Sequence, residues 1–144
     1  MKVKETMSTN ARLAGPDQTI REAAQAMAEV DSVVLPVGEN DRLIGMITDR
    51  DIAVRGVGQG KGPETSVREV MTDHVDYCFE DQDVDAVLKN MVDIKVRRLP
   101  VLNRDKRLVG IISLGDIAQS GEARTDTALG KISRPGGEHT TQRA

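Results

Sequence analysis

The sequence is written twice. Val3-Lys4-Glu5-Thr6-Met7 returns as Val67-Arg68-Glu69-Val70-Met71, Asp17-Gln18-Thr19-Ile20 as Asp81-Gln82-Asp83-Val84, and Leu35-Pro36-Val37 as Leu99-Pro100-Val101, each 64 residues further on. With one extra residue in the second copy, Arg42-Leu43-Ile44-Gly45-Met46-Ile47-Thr48 returns as Arg107-Leu108-Val109-Gly110-Ile111-Ile112-Ser113, and Asp51-Ile52-Ala53 as Asp116-Ile117-Ala118. A duplication that keeps order and spacing over a whole unit restricts the fold to two copies of one supersecondary unit.

Each copy carries the same periodicities. Ile20, Ala23, Ala24, Met27 and Ala28 are spaced as one apolar helix face, and Val84, Val87, Leu88, Met91 and Val92 repeat the spacing. Thr19 with Glu22 forms a capping box that starts the first helix. Val33 to Val37 is short and β-branched and predicts a strand, with Pro36 placing it at an edge or a strand end. Glu39 to Arg42 is a turn, Leu43 to Ile47 the return strand, and Asp51 to Val54 a short helix. The order is helix, strand, turn, strand, helix, behind a short lead-in segment. One unit exposes an apolar sheet face and helix stripe, and two units facing each other cover both, which predicts a pseudo-twofold α/β domain. The expected organisation is a first repeat over 1–56, a linker over 57–64, a second repeat over 65–120 and a flexible tail over 121–144 with one helical turn near Ala128-Leu129-Ile132.

Composition narrows the function classes. Tyr77 and Phe79 are the only aromatic residues, so a stacking platform for single-stranded nucleic acid is hard to build. The net charge is −3 and the pI about 5.4, against a broad nucleic-acid surface. Cys78 is the only cysteine, which excludes an intrachain disulfide and fits a reducing compartment. No apolar leader follows Met1 and no apolar run approaches the ~18 residues of a membrane span. A cytoplasmic protein with no nucleic-acid or membrane partner is expected.

The informative motif is Gly45-Met46-Ile47-Thr48-Asp49-Arg50-Asp51, repeated as Gly110-Ile111-Ile112-Ser113-Leu114-Gly115-Asp116. In both, an apolar strand delivers a hydroxyl residue to a helix start, with a carboxylate three residues later. A carboxylate can accept from both hydroxyls of a ribose, and free N–H groups at a helix start suit phosphate oxygens. The same pattern is also the ordinary capping box. The two readings are compatible, and the repeat favours function because both copies keep the carboxylate while the residues between differ completely.

Other candidates fail. Gly56-Val57-Gly58-Gln59-Gly60-Lys61-Gly62 lacks the Ser or Thr after lysine and the first glycine of a phosphate loop, and it misses the dinucleotide spacing as well. His74 and His139 with one cysteine make no compact zinc set. Cys78 reads as buried filler, and no Ser-His-Asp set assembles, so neither catalytic residues nor a metal site are expected. Met7, Met27, Met71 and Met91 fall at matching repeat positions and read as core.

The paired units, each ending in Gly-apolar-apolar-Thr/Ser-x-x-Asp, resemble a CBS-domain pair, or Bateman module, over residues 1 to about 120. The string Thr48-Asp49-Arg50-Asp51-Ile52 is most similar to small stand-alone bacterial members, including those of the hypoxic-response type. The resemblance implies two pseudo-twofold-related β-α-β-β-α units packed through their sheets, often dimerising into a flat disc. It also implies a regulatory role without catalysis, within a stress response. An adenosyl ligand (AMP, ADP, ATP, NAD or S-adenosylmethionine) would lie in a cleft between the repeats, with Thr48 and Asp51 serving one cleft and Ser113 and Asp116 the other. Arg97 and Arg98 stand where relatives place basic residues that reach ligand phosphates, and guanidinium forks suit phosphate oxygens. A solvent-facing role beside the strand is the alternative for one of them. Arg50 is a further phosphate candidate or a solvated helix-start residue. The first repeat has Val33 and Val34 at the arginine positions, so the two clefts should differ in affinity. The implied partners are a second copy of the chain and an unidentified regulated protein; the reading that competes is a ligand-free dimeric scaffold acting by contact.

Overall fold

The computed structural model describes residues 1–120, so the expected tail over 121–144 lies outside the described residues. The chain divides into two compact units whose limits are not those of the sequence repeats. One unit is Arg12–Val75, and the other joins Met1–Ala11 to the chain from Asp76 onward. Each lead-in segment has changed places with its counterpart.

In the Arg12–Val75 unit, α1 (Ile20–Val30) starts at the predicted capping box. The Glu22 N–H donates to Thr19 Oγ1 at 3.1 Å and the Thr19 N–H to Glu22 Oε1 at 3.2 Å. β1 (Val34–Glu39) and β2 (Arg42–Thr48) pair antiparallel around Asn40 and Asp41, whose φ values of 54° and 63° are those of a tight hairpin turn. Ala14 adds a single parallel bridge to Val37. Ile20, Ala23, Ala26 and Met27 face the core, whereas Ala24 and Ala28 of the predicted stripe stay exposed. The helix is rolled so that these two alanines lie along a shallow surface strip with Ile52 and Val57. The segment after β2 winds wider than the short helix expected: a π-helical turn at Asp51–Gly56, then a 3-10 turn at Val57–Gln59.

The lead-in segment here is that of the second repeat. Its short helix α2 (Val67–Val70) buries Val67 and Val70 completely against Leu35, Val37 and Ile47. Fully burying a valine contributes about 1.5–3 kcal/mol, so this exchanged segment is part of the core. Thr72 then pairs with Met46 through two backbone hydrogen bonds of 2.8 Å. Gly45 permits that approach: a Cβ there would lie 2.7 Å from Thr72 O and 2.9 Å from Met71 Sδ.

The second unit repeats the plan. β3 (Cys78–Phe79), β4 (Arg98–Leu102) and β5 (Leu108–Ser113) form a sheet in that order, with β3 parallel to β4 and β4 antiparallel to β5. α3 (Val84–Ile94) joins β3 to β4 and packs Val84, Val87 and Met91 against Leu99, Val101 and Ile112. α4 (Leu114–Ser120) follows β5 directly and buries Ile117. Val3 of the first lead-in is fully buried in this core. Ser8 exchanges backbone hydrogen bonds of 2.9 and 3.0 Å with Ile111, the counterpart of the Thr72–Met46 pair.

Two local expectations resolve here. Pro100 lies in the middle strand, yet β3 pairs only with Val101 and Leu102, so the missing N–H leaves no ladder bond open. Pro36 sits likewise just before the Val37 bridge to Ala14. Cys78 is buried, and burial pushes its thiol up to about 12. Beside it Tyr77 meets Phe79 edge to face at 5.6 Å, and Arg104 lies 4.1 Å over the Phe79 ring while gripping Asp81 with Nε and Nη2. That grip holds the Asp81 carboxyl below its ordinary range.

Candidate functional site

In each copy the strand ends on its hydroxyl residue and the chain turns at once into a helix, which carries the carboxylate back over the strand end. The Thr48 N–H donates to Asp51 Oδ2 at 3.1 Å, and the Asp51 N–H donates to Thr48 Oγ1 at 3.0 Å. The Ser113 N–H donates to Asp116 Oδ2 at 3.0 Å, and the Asp116 N–H to Ser113 Oγ at 3.1 Å. The capping arrangement is thus formed twice, with nearly the same geometry. It fixes the carboxylate and the hydroxyl side by side at the end of a strand.

The surroundings differ. Asp51 is the one buried charged residue among the described residues, 8% exposed. Thr72 Oγ1 lies 3.3 and 3.4 Å from its two oxygens, and Arg55 Nε lies 3.9 Å from Oδ1. Arg55 also donates to the carbonyls of Val70 and Met71 at 3.4 and 3.0 Å, tying it to the lead-in segment. Asp116 is partly exposed, and among the described residues its carboxylate accepts only from Ser113. Its counterpart of Arg55 is Ser120, whose hydroxyl donates to Ile117 O at 2.6 Å. Thr6 of the lead-in segment donates to the Asp116 backbone carbonyl at 3.0 Å, bracing that turn from outside.

Strand register decides where the arginines fall. Arg98 pairs with Ser113 across β4 and β5, so the two side chains leave the same face of the sheet. Arg98 is half-buried and has no hydrogen-bond or ion-pair partner among the described residues. Arg97 is exposed, and its carbonyl accepts from the Leu114 N–H at 3.0 Å, which keeps it beside the start of α4. Ser113, Asp116, Arg97 and Arg98 therefore come together in one unit. Thr48, Arg50 and Asp51 come together in the other, where Val34 faces Thr48 in the place of an arginine. Arg50 is exposed, and its backbone N–H donates to Asp49 Oδ1 at 2.8 Å.

Arg55 and Thr72 are absent from the sequence-derived site. Arg55 carries one legible signal, its position four residues after Asp51 on a helix. Thr72 carries none, because it reaches Asp51 only through the exchange of lead-in segments. No cluster of three or more His, Cys, Asp or Glu side chains suited to a metal ion occurs among the described residues. No helix among them is long and apolar enough to cross a membrane.

Comparison with known proteins agrees with this architecture. The family model for the CBS domain matches twice, over residues 3–57 and 67–122. The CBS domain-containing protein YhcV of Bacillus subtilis is 38% identical over 133 residues, covering 91% of this chain and 94% of that protein. Hypoxic response protein 1 of Mycobacterium tuberculosis is 37% identical over 118 residues, covering 81% and 82%. The crystal structure of Hypoxic Response Protein I with two coordinated zinc ions superposes with a TM-score of 0.73 at 36% identity, over 83% of this chain and 98% of that one. The CBS domain pair of protein MJ0100, in complex with 5′-methylthioadenosine and S-adenosyl-L-methionine, gives 0.70 at 29% identity, over 85% and 98%. With the duplicated unit, the twice-formed Thr/Ser-x-x-Asp turn and these matches over nearly all described residues, the chain belongs to the CBS-domain family and carries two copies of the domain.

Proposed function

We propose that the protein is a regulatory module that binds an adenosyl nucleotide at the Thr/Ser-x-x-Asp turns of its repeats and signals to a partner protein. AMP, ADP, ATP, NAD and S-adenosylmethionine are the candidate ligands. The observation that carries the reading is the cross-strand pairing of Arg98 with Ser113 beside Asp116. It gathers a cation for phosphate, a hydroxyl, and a carboxylate for the ribose diol at one strand end. The adenosyl ligands of the MJ0100 domain pair support the ligand class. The ligand would prefer one arrangement of the chain and shift the population toward it, and the partner would read that shift.

Regulation rather than catalysis is part of the proposal, in keeping with the match to the CBS domain over both repeats. Zinc belongs to the Hypoxic Response Protein I structure and is no part of this proposal. A homodimer is part of the same reading, supported by the surface strip of exposed Ala24, Ala28 and Val57 beside half-buried Ile52, with Val57 69% exposed. Light scattering on the eluted protein checks it, a monomer mass counting against. A cytoplasmic location and a place in a stress response complete the proposal, the latter resting on the relation to Hypoxic response protein 1.

The competing reading is a scaffold without ligand. It is favoured by the fact that capping hydrogen bonds already account for both motif carboxylates. Thermal melting separates the two. A nucleotide at 100 times its dissociation constant adds about 2.7 kcal/mol, a rise of several degrees for a chain of this size. The rise is expected with at least one candidate ligand and should vanish in Asp116→Ala. No rise with any of the five, from protein shown to be free of bound nucleotide, selects the scaffold.

A further inference from the structure

The two motifs share a sequence pattern and a capping geometry, yet their carboxylates are in different states. Asp51 is enclosed: its side chain is 10% exposed, and Arg55, Thr72 and the Thr48 N–H all approach it. Both of its oxygens face the Thr72 hydroxyl. A ribose diol arriving there must displace Thr72 and compete with a guanidinium anchored on two carbonyls of the lead-in segment. Losing such partners on a buried carboxylate is costly, because each unmade bond to a charged group leaves its desolvation uncompensated. The cation that Arg98 places opposite Ser113 has no counterpart across the strands here, since the residue facing Thr48 is Val34, which is buried and apolar.

Asp116 is the reverse case. Its carboxylate is partly exposed and holds a single bond, from Ser113, among the described residues. Serine stands at the position of Arg55, so among the described residues of α4 no charged side chain neutralises the carboxylate. Ser8 stands at the position of Thr72 and is exposed. Arg98 faces Ser113 and supplies the cation that Val34 cannot.

We propose that Arg55 and Thr72 form a clasp that shuts the first motif onto Asp51, so that only the Ser113–Asp116 motif, with Arg98, takes a nucleotide. This rests on the nucleotide-binding reading above and adds occupancy to it: one ligand per chain, with Arg55 and Thr72 as positioning residues that exclude the second. The first motif becomes a fastening between the helix after β2 and the lead-in segment of the other repeat.

The test is calorimetric titration of the full chain with AMP, ATP and S-adenosylmethionine. One molecule per chain is expected for the probe that binds, and Asp116→Asn should remove all measurable heat. Removing the clasp in the Arg55→Ala, Thr72→Val double variant should raise the stoichiometry to two. Should the double variant fail to fold by circular dichroism, Arg55→Gln removes the charge at similar side-chain length and carries the same expectation. Two ligands per native chain, binding that persists in Asp116→Asn, or a stoichiometry that stays at one after the clasp is removed would each overturn the proposal. Binding of none of the probes by the native chain, with a clean and cooperative melt, overturns the nucleotide-binding reading itself, and the two failures are therefore distinguishable.

Discussion

Gly45 and Gly110 show how one missing Cβ organises a site. The alanine methyl at Gly110 would meet Ser8 O at 2.6 Å and Met7 Sδ at 3.1 Å. The obstacle in each copy is backbone of the exchanged lead-in segment, which cannot rotate away as a side chain does. Gly110→Ala is expected to destabilise by about 1–3 kcal/mol through overpacking, read as a lower urea midpoint at unchanged slope. Gly45→Ala should do the same. Cys78 gives a second check at this scale. Its thiol, pushed up to about 12 by burial, stays protonated in the folded protein while the unfolded thiol ionises near 9.0. The stability it lends is therefore complete below pH 9 and is lost as pH rises toward 12. A thiol reagent at pH 8 should leave the native protein unlabelled and label it promptly in denaturant; fast native labelling would contradict the buried assignment.

Elements were legible where local chemistry dictates them. The Thr19–Glu22 box, the Glu39–Arg42 turn and the apolar runs of β1 and β2 each carry their own signal, and the structure forms them close to the expected limits. Thr19→Ala removes the cap of α1 and should cost about 1 kcal/mol, seen as a fall in melting temperature without loss of helix content at 20 °C. What the sequence did not disclose depends on tertiary arrangement. The roll of α1, which buries Ala26 and leaves Ala24 and Ala28 exposed, is set by packing against the sheet, and periodicity alone does not choose between neighbouring stripes. The π-helical turn at Asp51–Gly56 has no composition of its own. At the site, the hydroxyls and carboxylates were marked by the repeat, and Arg97 and Arg98 only by the family resemblance, since the first copy has Val33 and Val34 in their place. The contrast between a clasped Asp51 and an open Asp116 was not, because it needs Thr72 beside Met46.

At the scale of the molecule, the two compact units and the two sequence repeats are different partitions of the same chain. Val3, fully buried, belongs to a core made otherwise of residues from Cys78 onward. Deleting Met1–Ala11 should therefore loosen the distant β4–β5 pair more than the nearby α1. Hydrogen exchange would show it as lost protection at Ile111 and Ile112, with Met27 little changed; the opposite pattern would refute the exchange of segments.

A chain holding a single copy of this unit would carry a lead-in segment whose seat lies in a second copy, and a glycine groove with nothing of its own to fill it. Two such chains would satisfy one another by trading segments. Read this way, the present protein is a swapped pair made permanent by the peptide bond, and neither half of its gene encodes a part that is whole.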